Sequence, residues 1–473
     1  MNATSDSTTL PWRLLTAIAA AGALLGMALL MRGPDPEPVF QGQPLTTWLD
    51  RFNSTDAATH NQAVAALRAL APAAVARLTE DVLRPDPWFT RLARPIVAQF
   101  PGLQLNLDEA ERRRIHAAAV LDELGPAAQA AVPALLLTVA NPNRLVPPAI
   151  LQRTLLDIGP AAAPPLIQAL GDRPEAVRRF AVATLDALVE NRGIDERDQQ
   201  AALAPLLKVL RDRNADQRAL AAGTLGRFGS RARPATPFLI AALSDPVLEA
   251  RAQAAKAIGE ITSAPDAAVP ALMAALVDPS AAVREQVSLA LGRFGPAARS
   301  AAPALASTLR DPNESVRVNA ANALGRIGVA DRPIVAALTA GLEDPEALVR
   351  ASAAAALGKL GPPAVLAVAD LIQSLADPDP EVRQSAAITL GKLGPAAASA
   401  VPALIARVRE DQSPVRICAI QALGQIGPPA AAAVPALRAA QVNDFAGIGR
   451  YVRVALAQIH PSKRSKSAAV DFP

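Results

Sequence analysis

The chain is poor in the side chains that most often carry chemistry. It has a single cysteine, Cys418, which cannot close an internal disulfide, build a cysteine-based zinc site or hold a c-type haem, since the last needs two thiols. Histidine occurs three times, at His60, His116 and His460, too few and too scattered for a histidine-rich metal centre. Aromatic residues are only 3% of the chain, which leaves little for the stacking platforms that single-stranded nucleic acid uses. There is no large excess of either charge: 47 Lys+Arg stand against 43 Asp+Glu, for a formal net charge of +4, so no polybasic field calls for a nucleic-acid partner. A phosphate-cradling glycine motif is also missing. No catalytic residue, cofactor site or metal site is therefore expected.

What the chain has instead is aliphatic bulk: hydrophobic residues make up 51% of it, mainly Ala, Leu and Val. Closely packed small-residue helices suit that balance better than β-sandwiches do. The 43 prolines exclude long unbroken helices, because proline is tolerated in a first helical turn and breaks an interior. Many short helices satisfy both facts. A chain of 473 residues exceeds one compact core, which points to several domains or to an elongated array.

Residues 14–31 form an uncharged 18-residue apolar run between Arg13 and Arg32, about the lower limit for a membrane-spanning helix. The small residues that would suit signal cleavage, Ala19 to Ala23, lie inside the run rather than after it, which favours an uncleaved anchor. A short polar amino-terminus of this kind is expected to stay cytoplasmic. The expected localisation is thus a single-pass inner-membrane protein with its body in the periplasm. Gly33 to Pro38 reads as a stiff spacer. The expected organisation is a tail at 1–13, the anchor at 14–31, a proline-rich linker at 32–44, degenerate repeats with a capping unit at 45–202, regular repeats at 203–459 and a polar tail at 460–473.

The main signal is periodic. Arg218, Arg251, Arg284, Arg317, Arg350, Arg383 and Arg416 recur every 33 residues. Asp212, Asp245, Asp278, Asp311, Asp344 and Asp377 precede them by six, and Gly226, Gly259, Gly292, Gly325, Gly358, Gly391 and Gly424 follow by eight. In the unit from Asp377, that aspartate is the expected N-cap, with Pro378 next. Val382, Ala386, Ala387, Leu390 and Leu393 then mark one apolar helical face, and Gly394-Pro395 ends the helix. A second helix is expected over 396–408, bent or restarted by Pro402, which recurs as Pro270, Pro303 and Pro435. The beat is weaker before residue 203, and an insertion of about seven residues near 191–200 breaks its phase. Two short helices cannot bury their faces alone, so the pairs must stack.

The unit at Leu309 to Gly325, with its Leu-x-Asp-Pro-x-x-x-Val-Arg-x-x-Ala-x-x-Ala-Leu-Gly pattern, resembles the HEAT repeats of the type first noted in phycobilisome lyases. Gly42 to Leu49, with Trp48, looks like the capping unit of membrane-anchored bacterial HEAT proteins. The resemblance implies an all-α fold: a right-handed α-α superhelix (HEAT/armadillo-like) of about a dozen helical hairpins, preceded here by one transmembrane helix. It also implies that the repeating Asp and Arg residues form a structural ladder between successive loops. A bilin lyase-like role is implied by the family name alone. A metal-dependent hydroxylase also exists on this fold, in the deoxyhypusine hydroxylase family, but its centre is built from His-Glu pairs, and no histidine here is followed by Glu.

The face of each first helix opposite its apolar stripe carries residues two, five and nine places after the arginine. The nine-place row holds Arg227, Arg293, Arg326, Lys359 and Lys392, interrupted by Glu260. The two-place row holds Gln253, Gln286 and Asn319, followed by Ser352 and Ser385, and Asn322 stands at a five-place position. Two readings follow: a groove for an extended acidic or polar peptide, or cations that offset the helix macrodipole and keep the face soluble. The expected function is a non-catalytic, membrane-anchored scaffold whose partners are other proteins. Cys418, in the polar-row position, is expected to be a packing residue, with partial exposure conceivable.

Overall fold

The computed structural model describes residues 37–84, 109–139, 141, 146–171, 174–191, 193–442 and 447–460. The anchor at 14–31, nearly all of the spacer and the tail beyond His460 lie outside the described residues. Chain packing divides the protein into two compact units, Met1–Ala162 and Ala163–Pro473. Within the second unit the helices after Ala163 pack with those that follow.

The first unit opens with a two-residue hairpin, β1 (Val39–Phe40) against β2 (Gln43–Pro44), whose turn places Gln41 and Gly42 at positive φ. Helices α1 (Leu45–Phe52), α2 (Ala57–Ala69), α3 (Ala71–Leu83), α4 (Glu109–Leu124), α5 (Val132–Val139) and α6 (Pro148–Ile158) follow. Trp48 is buried against this start, and its indole Nε1 donates to the Phe40 carbonyl at 3.2 Å.

The second unit consists of helix pairs. Its first-layer helices are α8 (Glu175–Asn191), α10 (Ala215–Arg227), α12 (Leu248–Ile261), α14 (Ala281–Phe294), α16 (Glu314–Ile327), α18 (Ala347–Leu360), α20 (Pro380–Leu393), α22 (Val415–Ile426) and α24 (Gly449–Ile459). The shorter second-layer helices are α7 (Ala163–Ala169), α9 (Glu196–Val209), α11 (Thr236–Ala242), α13 (Pro265–Ala275), α15 (Ala302–Thr308), α17 (Arg332–Ala340), α19 (Val368–Ser374), α21 (Val401–Glu410) and α23 (Val434–Val442). First-layer helices pack side by side along the array, and Leu291, Leu324, Leu357 and Leu390, one per unit, are sealed between the layers. Burying each such leucine stabilises the stack by about 2 kcal/mol.

The helix stops follow local chemistry. Gly394 ends α20 with φ of 61°, a left-handed conformation that only glycine adopts cheaply. A 3-10 turn, Gly394–Ala400, then leads into α21, which restarts with Pro402 in its first turn, where the missing N–H costs nothing.

The helix start differs from the expectation. The cap of α20 is Asp379, which accepts from the amides of Glu381 and Val382 at 2.8 and 3.4 Å, and the helix begins at Pro380. Asp377 is two residues too early to cap, because its carboxylate is already engaged by the amide of Asp379 and by Arg350 of the preceding unit.

The glycines eight places after the arginines also differ from a reading as helix-end punctuation. Gly259 lies inside α12, where an added Cβ would stand 2.7 Å from the Cα of Ala290 on α14. Gly292 meets Ala323 in the same way at 3.0 Å. These glycines let neighbouring first-layer helices touch backbone to backbone.

Two apolar stretches among the described residues, Glu109–Val139 and Pro380–Glu410, are long enough to cross a membrane by length and composition. Each is a repeat hairpin about half buried within the fold, which accounts for its apolarity without a bilayer.

Candidate functional site: the loop ladder and the first-layer face

Along one edge of the second unit the loops are tied in series. Arg284 donates from Nε and Nη2 to the two carboxylate oxygens of Asp311 at 2.6 and 2.8 Å. Its Nη1 donates to the carbonyls of Asp278 and Pro279 in its own loop at 2.8 and 3.3 Å. Asp311 Oδ1 in turn accepts from the amide of Asn313 at 2.9 Å. The same arrangement joins Arg218 to Asp245, Arg251 to Asp278, Arg317 to Asp344 and Arg350 to Asp377. These side chains are largely buried, the arginines 10–14% and the aspartates 8–10% exposed. Planar forks matched to carboxylates in a partly dry setting are the strong form of ion pair.

Two members of this ladder were not in the periodic pattern. Arg383 pairs with Asp411, one residue out of register, at 3.2 and 2.6 Å. Arg178 reaches Asp212 at 3.0 Å across a longer step. Arg416, the last arginine of the series, is half-buried, and residues 443–446 lie outside the described residues.

The carboxylates are tuned accordingly. The hydrogen bonds from Arg218 hold Asp245 below the usual carboxylate range. For Asp278, Asp311 and Asp377 burial works in the opposite direction, but the arginine and amide hydrogen bonds outweigh it and the net shift is again downward. Carboxylates held ionised in this way are poor proton carriers.

The expected basic row is divided by its environment. Arg227 is ion-paired with Asp186 and Glu190 of α8, and Arg293 lies 3.5 Å from Glu260. Arg326, Lys359 and Lys392 are exposed and have no carboxylate within ion-pair distance among the described residues. Burial, and then the neighbouring charges of Arg326 and Lys392, push the Lys359 ammonium below its ordinary value. The side chains lean back over the glycines of the preceding helix, with Lys359 Cδ 3.2 Å from where a Gly325 Cβ would be.

The polar row is less open than its helical angle suggests. Gln253, Gln286, Asn319, Asn322 and Ser385 are half-buried and Ser352 is buried, because the glycine–alanine contacts draw the next helix close against that flank. Cys418 is likewise buried rather than partly exposed, and burial raises its thiol pKa. His60 Nδ1 lies 2.7 Å from the Phe52 carbonyl, and His116 packs edge-on against the Phe52 ring. No group of three or more His, Cys, Asp or Glu that could hold a metal occurs among the described residues.

Stacked helix pairs, a continuous loop ladder and a polar first-layer face define a helical-repeat solenoid, a class suited to protein–protein interaction. The chain belongs to the HEAT-repeat family: it matches HEAT repeats over residues 163–247, 236–311, 302–369 and 368–457, more than half of its length. Among solved structures it is similar to Kap95p, in a structure describing Kap95p binding to RanGDP, at 14% identity and a TM-score of 0.50 over 89% of this chain and 68% of that one. This likeness is one of fold. The CpcE and CpcF phycocyanin lyase complex from Nostoc sp. PCC7120 matches at 24% identity and a TM-score of 0.33, over 50% of this chain and 94% of that chain. YibA of Escherichia coli matches at 22% identity and a TM-score of 0.39, over 54% and 90%. No curated protein matches the chain.

Proposed function

We propose that the protein is a non-catalytic scaffold, held at an inner membrane by residues 14–31 with its repeats in the periplasm, which captures an extended acidic segment of a partner protein on its first-layer face. The observation that carries this reading is the run Arg326, Lys359, Lys392. Three successive units present cations with no carboxylate partner among the described residues, and the middle one is crowded by the other two. Cations that only served the helix macrodipole would be relieved by local carboxylates, as Arg227 and Arg293 are. An acidic segment supplies what the row lacks, and charge complementarity of this kind sets partner choice and association rate. Arg293 belongs at the margin of the site, since Glu260 already neutralises part of its charge.

The test is cross-linking in cells followed by mass spectrometry on the full chain, comparing wild type with Arg326→Glu and Lys392→Glu. These exposed substitutions should leave the helical content unchanged and reduce capture of the partner. An unchanged set of cross-linked partners would sink the groove reading.

A further inference from the structure

Three departures from the repeat converge on one place in the second unit. The first is the stretched step of the ladder. Arg178 and Asp212 are separated by 34 residues where the other steps span 27 or 28, and Arg178 reaches only Oδ2 of its aspartate. The second is Gln217, which occupies the position filled by Ala250 and then by Val283, Val316, Val349, Val382 and Val415 in later units. It is fully buried, its Nε2 reaches Asp212 Oδ1 at 3.5 Å, and its Oε1 has no hydrogen-bond partner. The third is Phe238, which stands where the equivalent residues are Ala271, Ala304, Ala337, Ala403 and Ala436 and, once, Asp370.

Between these departures lies a cleft of about 740 Å³, a size that suits small ligands. Leu207 and Phe238 give it an apolar wall, and among the described residues Arg178, which is paired with Asp212, lines it together with Lys208, Arg211, Arg213 and Glu175. The Arg211 guanidinium lies over the Phe238 ring, 4.9 Å from its centroid, so that wall carries a positive charge on an aromatic face. Arg211 and Arg213 are exposed, with no carboxylate in ion-pair range among the described residues. A buried amide oxygen without a partner on Gln217, beside Asp212, and two exposed arginines in the adjoining cleft are features that packing alone does not require, and local departures from a regular pattern concentrate at functional sites.

The geometry points to a binding site for a small organic anion, a carboxylate or phosphate carried on an aromatic or apolar body. Arg211 and Arg213 receive the charge, and Leu207 and Phe238 receive the body. The site is independent of the first-layer face and stands or falls separately from it.

Saturation-transfer NMR on the full chain in detergent tests this, with benzoate and phenyl phosphate as probes and benzyl alcohol as the neutral counterpart. Phe238→Ala restores the residue that most other repeats carry, so the helix pair should keep its fold, and Arg211→Ala changes an exposed side chain. At least one anion should bind, the alcohol should not, and each substitution should weaken anion binding about tenfold, with the stronger of the two probes identifying the preferred anionic group. Failure of both anions to bind, equal binding of the alcohol, or binding that survives Phe238→Ala unchanged would overturn the proposal.

Discussion

Replacing Asp311 with alanine should open the array locally rather than melt it as a whole. The substitution removes two hydrogen bonds from Arg284, at 2.6 and 2.8 Å, and the acceptor of the Asn313 amide. It leaves a guanidinium that is only 12% exposed facing no carboxylate. Breaking one side of a largely buried pair costs about 3 kcal/mol, because the remaining charge keeps its desolvation penalty. Each unit of a solenoid contacts only its neighbours, so this loss should be confined to α14, α16 and the loop between them. Hydrogen exchange read by mass spectrometry should show amides there exchanging about a hundredfold faster, with α22 and α24 unchanged. The pair Arg284→Met with Asp311→Leu should recover most of the protection, since an apolar pair carries no stranded charge. Should Asp311→Ala leave exchange in α14 and α16 within about threefold of wild type, below the level of an ordinary surface change, the ladder does not hold the units together.

Acid should act in opposite senses on the ladder carboxylates of the second unit and on Asp122 of the first. In the second, the folded pKa values of Asp245, Asp278, Asp311 and Asp377 lie below the unfolded value, so their stabilisation is complete above pH 4, approximately, and drains away as pH falls through the folded values. In the first, burial, together with Asp157, raises Asp122 to about 6. Its contribution is full below the unfolded value and is lost as pH rises through about 6, so Asp122 should add stability on mild acidification, against the loss from His116, whose burial lowers its pKa. Asp122→Asn should remove that gain, as followed by exchange at α4 and α6 between pH 7 and pH 4.5. Finally, Gly259→Ala should destabilise the α12–α14 contact by about 1–3 kcal/mol, because the new methyl group meets backbone. Pairing it with Ala290→Gly should restore part of the loss in a thermal melt.

The repeat register was legible in the sequence because each of its parts answers a local need that recurs every 33 residues: an aspartate, an arginine, an apolar stripe and a glycine stop. What each part does was less legible, because it depends on the neighbouring unit. Asp377 and Asp379 are both acceptable caps from sequence, and only the arrival of Arg350 from the unit before decides that the second one caps. Gly259 and Gly394 look alike in sequence, yet one admits a neighbouring helix and the other turns the chain. The row of cations was visible as a periodic feature, but Asp186 and Glu190, which neutralise Arg227, sit beyond the phase break and so outside the pattern. The cleft beside Phe238 had a signal available: aligning the units at 33-residue spacing shows glutamine in place of valine or alanine at 217 and, at 238, phenylalanine where most units have alanine. Its meaning appears only where the lengthened step sets Phe238 in the wall of the cleft and Gln217 beside Asp212.

The ladder also sets how this protein can change in length. Every internal arginine binds the carbonyls of its own loop and the carboxylate of the next, so each period is chemically closed: it accepts one cation from upstream and hands one downstream. Excision of residues 279–311 would bring Arg317 to the loop of Asp278 in place of Arg284, while Arg251 kept its aspartate and Arg317 kept Asp344. Growth or loss by whole periods therefore strands no charge, whereas a partial insertion stretches a step, as at Asp212, which Arg178 meets through one carboxylate oxygen. Reach can be adjusted in this array by counting units, and new pockets arise where the count is broken.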